Sequence, residues 1–509
     1  MAAYDHVIVG AGTAGCVLAN RLSADPSRRV LLIEAGPSDH KPWIHVPGGF
    51  YRVMHDPAIT WGFEAHTGGG AGGRRIPWPR GRVVGGSSAV NGMVHIRGQA
   101  ADYDRWNVPG WGYDELEPHF DAVEADLGLS MPRMRHRLNE DFLSAAAELG
   151  LPRLSAFDSR DIAGAAPYQM SITGRRRATA WRAFVSPVRG RKNLSILTGA
   201  TATRILVTNS RAMGVAVARG HDTITVSAGE IIVAAGAIGS PHLLQVSGIG
   251  PADLLRRYGV AVVADVPAVG RNLQDHAACR VVVRLKGGVT LNEVRASLAL
   301  QALAGLQYVL AARGPLMTGA APYGAFVRTD PENPLPDMQM FFLPGSAGAV
   351  GAAPHAWPGA TISFYQCHPS SRGSVEIVSG DITVPPRIEA NYLSEASDVA
   401  TLLRGIDMAR RLFSASPLAR HVAEEIAPGP VVADPVGWIR QNVGTAYHPV
   451  GTCRMGDDLH AVVDPRLRVL AVAGLRVADA SIMPAISSGN TNAPSLMIGE
   501  KAAQLILSE

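Results

Sequence analysis

The stretch YDHVIVGAGTAGCVLANRLSADPSRRVLLIE, residues 4–34, decides how the chain begins. Tyr4 to Val9 is short, apolar and rich in valine and isoleucine, the pattern of a buried strand. Gly10, Gly12 and Gly15 follow in GxGxxG spacing, and CVLANRLSAD continues as a helix. Arg29 to Ile33 reads as a second strand, closed by Glu34. Strand, glycine turn, helix and strand in this order predict a βαβ unit that holds a dinucleotide. Gly10 permits the tight turn, Gly12 lets backbone approach a pyrophosphate, and Gly15 lets helix and strand pack closely. Thr13 and Ala14 fall in the first helical turn, where unpaired N–H groups and the helix dipole favour phosphate. Glu34, followed by Ala35, stands at the ribose position. Its carboxylate accepts from a 2′-hydroxyl and repels a 2′-phosphate, which disfavours NADP.

Composition narrows the remaining classes. The chain has 509 residues, 47% hydrophobic and 18% charged, a globular balance for a large two-part fold or several domains. With 47 basic against 43 acidic residues, the net charge of +4 is too mild to predict nucleic-acid binding. Arg74–Arg75 and Arg175–Arg176–Arg177 are tight basic clusters, and each reads as a solvated face. Cys16, Cys279, Cys367 and Cys453 are scattered without CxxC spacing, so neither a disulfide framework nor a metal site is expected. MAAYDHVIVG has no basic leader and no run of 18 apolar residues occurs, which predicts a cytoplasmic chain with no integral membrane segment.

Further along, the chain changes texture twice. Residues 40–110 are rich in Gly, Pro and Trp, and AHTGGGAGGRR (65–75) reads as a flexible loop. Helical spacing returns over 114–128 and 139–150, then strands at 193–200, 202–208, 214–219 and 223–236. From 280 to 440, short alternating strands (280–285, 337–343, 361–367, 374–378) mix with helices near 295–312 and 398–413, predicting an antiparallel sheet covered by helices. LRVADASIMP (475–484) and a helix from about Ser495 to Leu507 return to the first texture. The predicted class is therefore α/β: a Rossmann-like cofactor domain (1–145, 173–276 and 446–509) and a substrate domain (146–172 and 277–445).

A second glycine-rich stretch separates the cofactors. GRVVGGSSAVNGMVHIRG, residues 81–98, carries Gly85, Gly86, Ser87 and Ser88 in a row, where backbone can approach a ligand closely. A nicotinamide enzyme has no evident use for a second loop of this kind; a long cofactor such as FAD, spanning both loops, does.

These residues, together with GAIGSPHLLQVSGIG (236–250), VGRNLQDH (269–276), WGYDELEPHF (111–120) and DASIMP…SGNTNAPSLMIGEKAA (479–503), resemble the glucose–methanol–choline (GMC) family of FAD-dependent oxidoreductases over nearly the whole chain. The resemblance implies that Arg82, Val84, Gly86, Ser87, Asn91, Gly92, Met93 and Val94 lie along the flavin and its linker. It implies Ala202 at the adenine, Asp479 and Ala480 near the ribityl and pyrophosphate, and Thr491 in the same cradle. Some relatives attach FAD through a histidine one position before the asparagine of the first signature. Val90 stands there, which implies non-covalent FAD. His95 departs from the usual aromatic or alanine, and the chain is short around 125–145, implying a reduced lid.

AYHPVGTCRMG, residues 446–456, raises the question of chemistry. His448 alone could be a metal ligand, a partner of Cys453, a base or a packed side chain. A metal needs three or four ligands, and no HxH or HExxH accompanies it. The resemblance places His448 at the family's catalytic histidine and Asn492 at its second catalytic position, with Tyr447 beside the pocket. The implied reaction moves a hydride from a CH–OH carbon to flavin N5 while His448 takes the hydroxyl proton. A primary alcohol is the implied donor, with O₂ or a quinone-like carrier as acceptor. A non-redox lyase acting on a cyanohydrin-like substrate, with FAD structural, is the alternative. Tyr323, Phe326, Phe341, Phe342, Phe364 and Tyr365 are candidate pocket aromatics, equally suited to a core.

Overall fold

The computed structural model describes residues 4–348 and 353–509; residues 1–3 of the predicted cofactor domain lie outside the described residues. Strand β1 (Tyr4–Val9), helix α1 (Thr13–Leu22) and strand β2 (Val30–Glu34) form the predicted unit. β1 is parallel to β2 on one side and to Asp222–Val233 on the other. Val7, Ile8, Leu32 and Ile231 are fully buried, as strands covered on both faces require. The sheet runs Leu194–Thr198, β2, β1, Asp222–Val233, Arg211–Arg219, Thr201–Thr208, with Leu475–Val477 also paired to Asp222–Val233. That 12-residue strand serves two roles. Its first half pairs antiparallel within a meander, and its second half joins the parallel sheet.

The second large sheet is antiparallel. It runs Val422–Ala427, Ala277–Leu285, Gly359–Gln366, Met338–Leu343, Tyr323–Val327, Gly164–Pro167. One face packs on the helices Arg137–Glu148 and Ala396–Ser414, where Phe142 stacks on Phe342 at 4.9 Å and joins Phe364, Leu402 and Ile406. Neighbouring residues on a strand face opposite ways, so Phe341 and Tyr365 point to the other side.

Five expectations change. The predicted boundary at 145/146 cuts the helix Arg137–Glu148, whose apolar face (Leu138, Phe142, Leu143) belongs to the core of the antiparallel sheet. The 65–75 stretch is ordered: Glu64–His66 pairs with Arg75–Pro77 around a glycine turn. Glu64–His66 also pairs parallel with Arg387–Glu389, and Ser374–Glu376 completes a small sheet of its own rather than joining the large one. The helix near 295–312 is two, Leu291–Ala296 and Leu298–Ala311, because Ser297 is extended and caps the second through its side chain. Finally, Arg177 is buried rather than solvated. Its guanidinium donates to the Ile44 carbonyl (2.9 Å), the Asn91 carbonyl (2.6 Å) and Asn91 Oδ1 (2.9 Å), tying down the 86–94 loop.

Candidate active site

The two glycine loops meet face to face. The Gly85 N–H donates to the Ala11 carbonyl at 2.7 Å. A Cβ on Gly86, whose φ is +53°, would lie 2.6 Å from Gly12 Cα. Gly10 has φ +107°, and a Cβ on Gly15 would lie 1.9 Å from the Gly10 carbonyl oxygen, so neither position tolerates a side chain. Above Gly12 the space is open, with the nearest atom to a Cβ 3.9 Å away. No side chain caps α1 at Gly12, and no acid stands in its first turn with Thr13 and Ala14. These are the features of an anion cradle at a helix N-terminus.

Glu34 is buried. Its two oxygens accept the Ala11 N–H at 2.9 Å and the Gly36 N–H at 2.8 Å. Burial pushes its carboxyl up to about 7, against the pull of those two N–H groups. Glu34 thus braces the glycine turn, and Ala35 links it to Gly36, one of its two donors. Ala202 sits nearby, since the Ala200 N–H bonds to the Glu34 carbonyl at 2.9 Å. Val84 is buried, Arg82 is exposed and stacks its guanidinium 5.2 Å over Trp61, and Ser87 Oγ accepts the Gly81 N–H at 3.1 Å. Asn91 Oδ1 accepts the Met93 N–H at 3.1 Å, the Gly92 carbonyl accepts from Ala320, and Val94 bridges Met170. Asp479 is buried and accepts from the Gly236 N–H (2.8 Å), Ser240 Oγ (2.5 Å) and the Ser481 N–H (2.8 Å), while the Ala480 carbonyl accepts from Gly451. Three buried polar atoms around this region have no protein partner: Arg177 Nη2, Ser487 Oγ and Asn490 Oδ1. Two tight backbone loops, an uncapped helix start and unsatisfied polar atoms fit a long dinucleotide such as FAD.

His448 lies where the two large sheets adjoin. Tyr447, just before it, adopts a left-handed φ of +65° that turns the histidine inward. Arg80 Nη1 holds the Tyr447 carbonyl at 2.7 Å, and Asp275 Oδ1 accepts the His448 backbone N–H at 2.6 Å. Met93, φ +64°, is a second buried non-glycine residue in this rare conformation, in the same apolar cluster as Tyr447. Tyr365 stacks on His276 at 4.2 Å and meets His448 edge-on at 5.6 Å, with Phe341 next to it.

The hydrogen-bond chain assigns the protons. His276 Nε2 lies 3.1 Å from the Cys367 carbonyl, which can only accept, so Nε2 carries the proton. Burial drives the His276 imidazole down to about 3, so it is neutral and its Nδ1 is an acceptor. His448 Nδ1, 3.0 Å away, must then donate, which leaves His448 Nε2 bare. Nε2 accepts from Asn490 Nδ2 at 3.0 Å. Burial, then the neighbouring His276 and Arg80, hold the His448 imidazole well below its ordinary value. The result is a neutral imidazole with its unprotonated Nε2 toward Asn490.

One predicted role is corrected. Asn492 does not face His448; its Oδ1 accepts from Thr13 Oγ1 at 3.0 Å, joining the helix Asn492–Leu507 to the start of α1. It belongs to the cofactor cradle with Thr491, which sits just before that helix. Asn490, two residues earlier, takes the place beside the histidine. SGNTNAPS offers both asparagines, and period alone cannot choose between them. Cys453 is buried with its thiol pushed well above the ordinary range, its backbone N–H bonded to the Ser481 carbonyl, so it packs rather than reacts. Asp275 and His276 end the block VGRNLQDH, whose spacing alone gives them no role. Of the candidate aromatics, Tyr365 and Phe341 reach the site, Phe326 backs it, and Tyr323, Phe342 and Phe364 belong to the opposite core. His95 replaces aromatic packing by a polar contact, Nε2 to Glu124 Oε1 at 2.8 Å.

The chain matches the two GMC oxidoreductase family models, the N-terminal one over residues 4–278 and the C-terminal one over 369–499. It is 38% identical to an alcohol dehydrogenase [acceptor] of Pseudomonas putida, covering 99% of this chain and 96% of that protein. It is 36% identical to human mitochondrial choline dehydrogenase, covering 99% and 89%. Among solved structures, pyridoxine 4-oxidase from Mesorbium loti superposes with a TM-score of 0.90 at 32% identity, covering 99% of each chain. The glycine cradle, the neutral histidine and these relatives agree: the chain belongs to the GMC oxidoreductase family and is an FAD-dependent oxidoreductase acting on CH–OH donors.

Proposed function

We propose that the chain oxidises a primary alcohol to its aldehyde, with His448 Nε2 taking the hydroxyl proton and Asn490 holding the alcohol oxygen. The observation that carries this reading is the hydrogen-bond chain from the Cys367 carbonyl through His276 to His448, which leaves His448 Nε2 unprotonated. FAD, when bound, supplies the two-electron acceptor for the hydride that leaves the carbinol carbon. The hydroxyl proton must leave as that hydride leaves, and a fixed neutral imidazole removes it at low cost. The imidazolium so formed keeps its Nδ1–H bond to His276, and the Asp275 carboxylate is one backbone bond away. The Asn490 amide then orients the same oxygen. Tyr365, Phe341, Met93 and Tyr447 give the chamber apolar walls, which suit an aromatic or aliphatic alcohol better than a sugar.

FAD is proposed to be dissociable, because Val90, a buried aliphatic side chain, offers no atom for a covalent link. Residues 4–136, 173–276 and 446–509 are proposed as the cofactor domain, and the antiparallel sheet with its helices as the substrate domain. O₂ or a quinone-like carrier is the proposed acceptor. Anaerobic mixing with aliphatic, benzylic and pyridine alcohols tests the reaction. Loss of flavin absorbance with aldehyde formed in equal amount is the expected outcome. An alcohol panel that leaves the flavin oxidised, with cleavage of a cyanohydrin instead, would overturn it.

A further inference from the structure

The helix Leu298–Ala311, LALQALAGLQYVLA, carries no charged residue, and Ala304 is its only fully buried one. Leu298 (83%), Leu303 (48%), Leu306 (55%), Val309 (57%) and Leu310 (69%) face outward. At about 100° per residue they fall within one stripe about 140° wide. Among the described residues no other element exposes so many large apolar side chains. The opposite face, through Tyr308, joins the cluster that contains Met93 and Tyr447, so the helix lies over the substrate chamber.

Unpaired arginines ring this stripe. Tyr308 Oη donates to the Arg175 carbonyl at 2.9 Å, which sets the Arg175–Arg176 turn beside the helix. Arg295 and Arg313 lie just before and just after it. Arg133 and Arg135 share a surface cleft with Gln307 and Arg313. All six are exposed, and none forms an ion pair among the described residues. Carboxylates on the same elements are engaged elsewhere: Glu293 caps Thr290 and Glu140 pairs with Arg153. Trp43, 38% exposed with Arg52 stacked on it at 4.2 Å, stands in the adjoining turn, where Gly48 abuts Leu316.

We infer that this face docks on an anionic phospholipid bilayer. An apolar stripe bordered by cations and a tryptophan matches a surface with a hydrocarbon interior and negative headgroups. A second copy of the chain is a poor match, because a two-fold contact would set these arginines against one another. The helix has 14 residues, about 21 Å, too short to span, so it lies in the plane of the interface. This inference is independent of the alcohol chemistry proposed above.

The test is sedimentation of the holoenzyme with vesicles of phosphatidylcholine alone or mixed with phosphatidylglycerol. Binding to the anionic vesicles is expected, falling sharply in about 1 M salt, where the screening length is about 3 Å. Leu306→Gln with Leu310→Gln should cut binding by about tenfold or more while alcohol turnover persists. Arg175→Gln, Arg176→Gln and Arg313→Gln together should cut it by roughly fivefold per charge removed. Flavin absorbance reports folding of each variant; if the leucine variant loses flavin, the arginine variant decides. Equal binding to both vesicle types, or none to either, overturns the inference. So does a dimer that dissociates in the leucine variant.

Discussion

The glycine cradle and the histidine corner are built in opposite ways. The cradle's floor is local: β1, the glycine turn and α1 are consecutive. The corner is assembled from Asp275–His276, Tyr365–Cys367, Tyr447–His448 and Asn490, segments that meet only because the two sheets adjoin. Consecutive residues can be read by spacing, whereas an assembled site is read only by contact. Variants on the two sides should therefore fail differently: the corner should lose rate and keep flavin, and the cradle should lose flavin first.

The largest effect belongs to His448→Ala. Flavin should stay bound while anaerobic reduction by the best alcohol slows roughly 10²–10⁴-fold, the usual worth of a positioned base. A parent-like stopped-flow rate would move proton abstraction elsewhere. In the parent, the base is competent once deprotonated, and its pKa is lowered by burial. The rate should thus hold steady as pH falls and drop only below ~6.5, the ordinary imidazole value.

Asn490→Ala comes next, with a loss of about 10² in the same step, as for a lost oxygen-orienting donor. Asn490 and His448 act on one oxygen, so the double variant should be less impaired than the product of the single effects. Glu34→Ala tests the cradle. Apoprotein titration should show FAD affinity weaker by roughly 1–3 kcal/mol with little change in reduction of the flavin that remains. Unchanged affinity would confine Glu34 to bracing the turn. His276→Phe should cost about 1 kcal/mol, roughly fivefold in rate, by freeing the His448 ring. His276→Asn, whose carbonyl can still accept near the Nδ1 position, should recover part of that; equal loss in both would reduce His276 to packing. Asn492→Ala should be the smallest in rate, and its effect should appear in FAD retention, because its partner is Thr13.

Much of the fold was legible because its signals are short-range. The N-terminal unit, the meander strands and the alternating strands after 280 all carry their period in the residues themselves. What failed is long-range. AHTGGGAGGRR looks flexible by composition, yet Glu64–His66 finds a partner in Arg387–Glu389, more than 300 residues on. Arg177 looks solvated in a run of three, yet the carbonyls of Ile44 and Asn91 take it inside. The 145/146 boundary failed because an amphipathic helix shows that it has a buried face, not which sheet covers it. In the site, the block AYHPVGTCRMG carries the expectation for His448 that the stopped-flow measurement tests. The choice between Asn490 and Asn492 turns on which of two nearby positions precedes a helix start, a matter of one turn of backbone.

The pairing of Leu475–Val477 with Asp222–Val233 has a consequence for synthesis. A ribosome has released the whole β1–α1–β2 unit long before it reaches Asn490 and Leu475. Until then the growing chain has its nucleotide loops but lacks the last strand, the residue beside His448, and the helix Asn492–Leu507 that packs against α1 through Gly499 and Ala14. A chain stopped before residue 475 should behave as an aggregation-prone fragment, not a weakened enzyme. Maturation is then a late, all-at-once event, with the segment from Leu475 onward serving as its clasp.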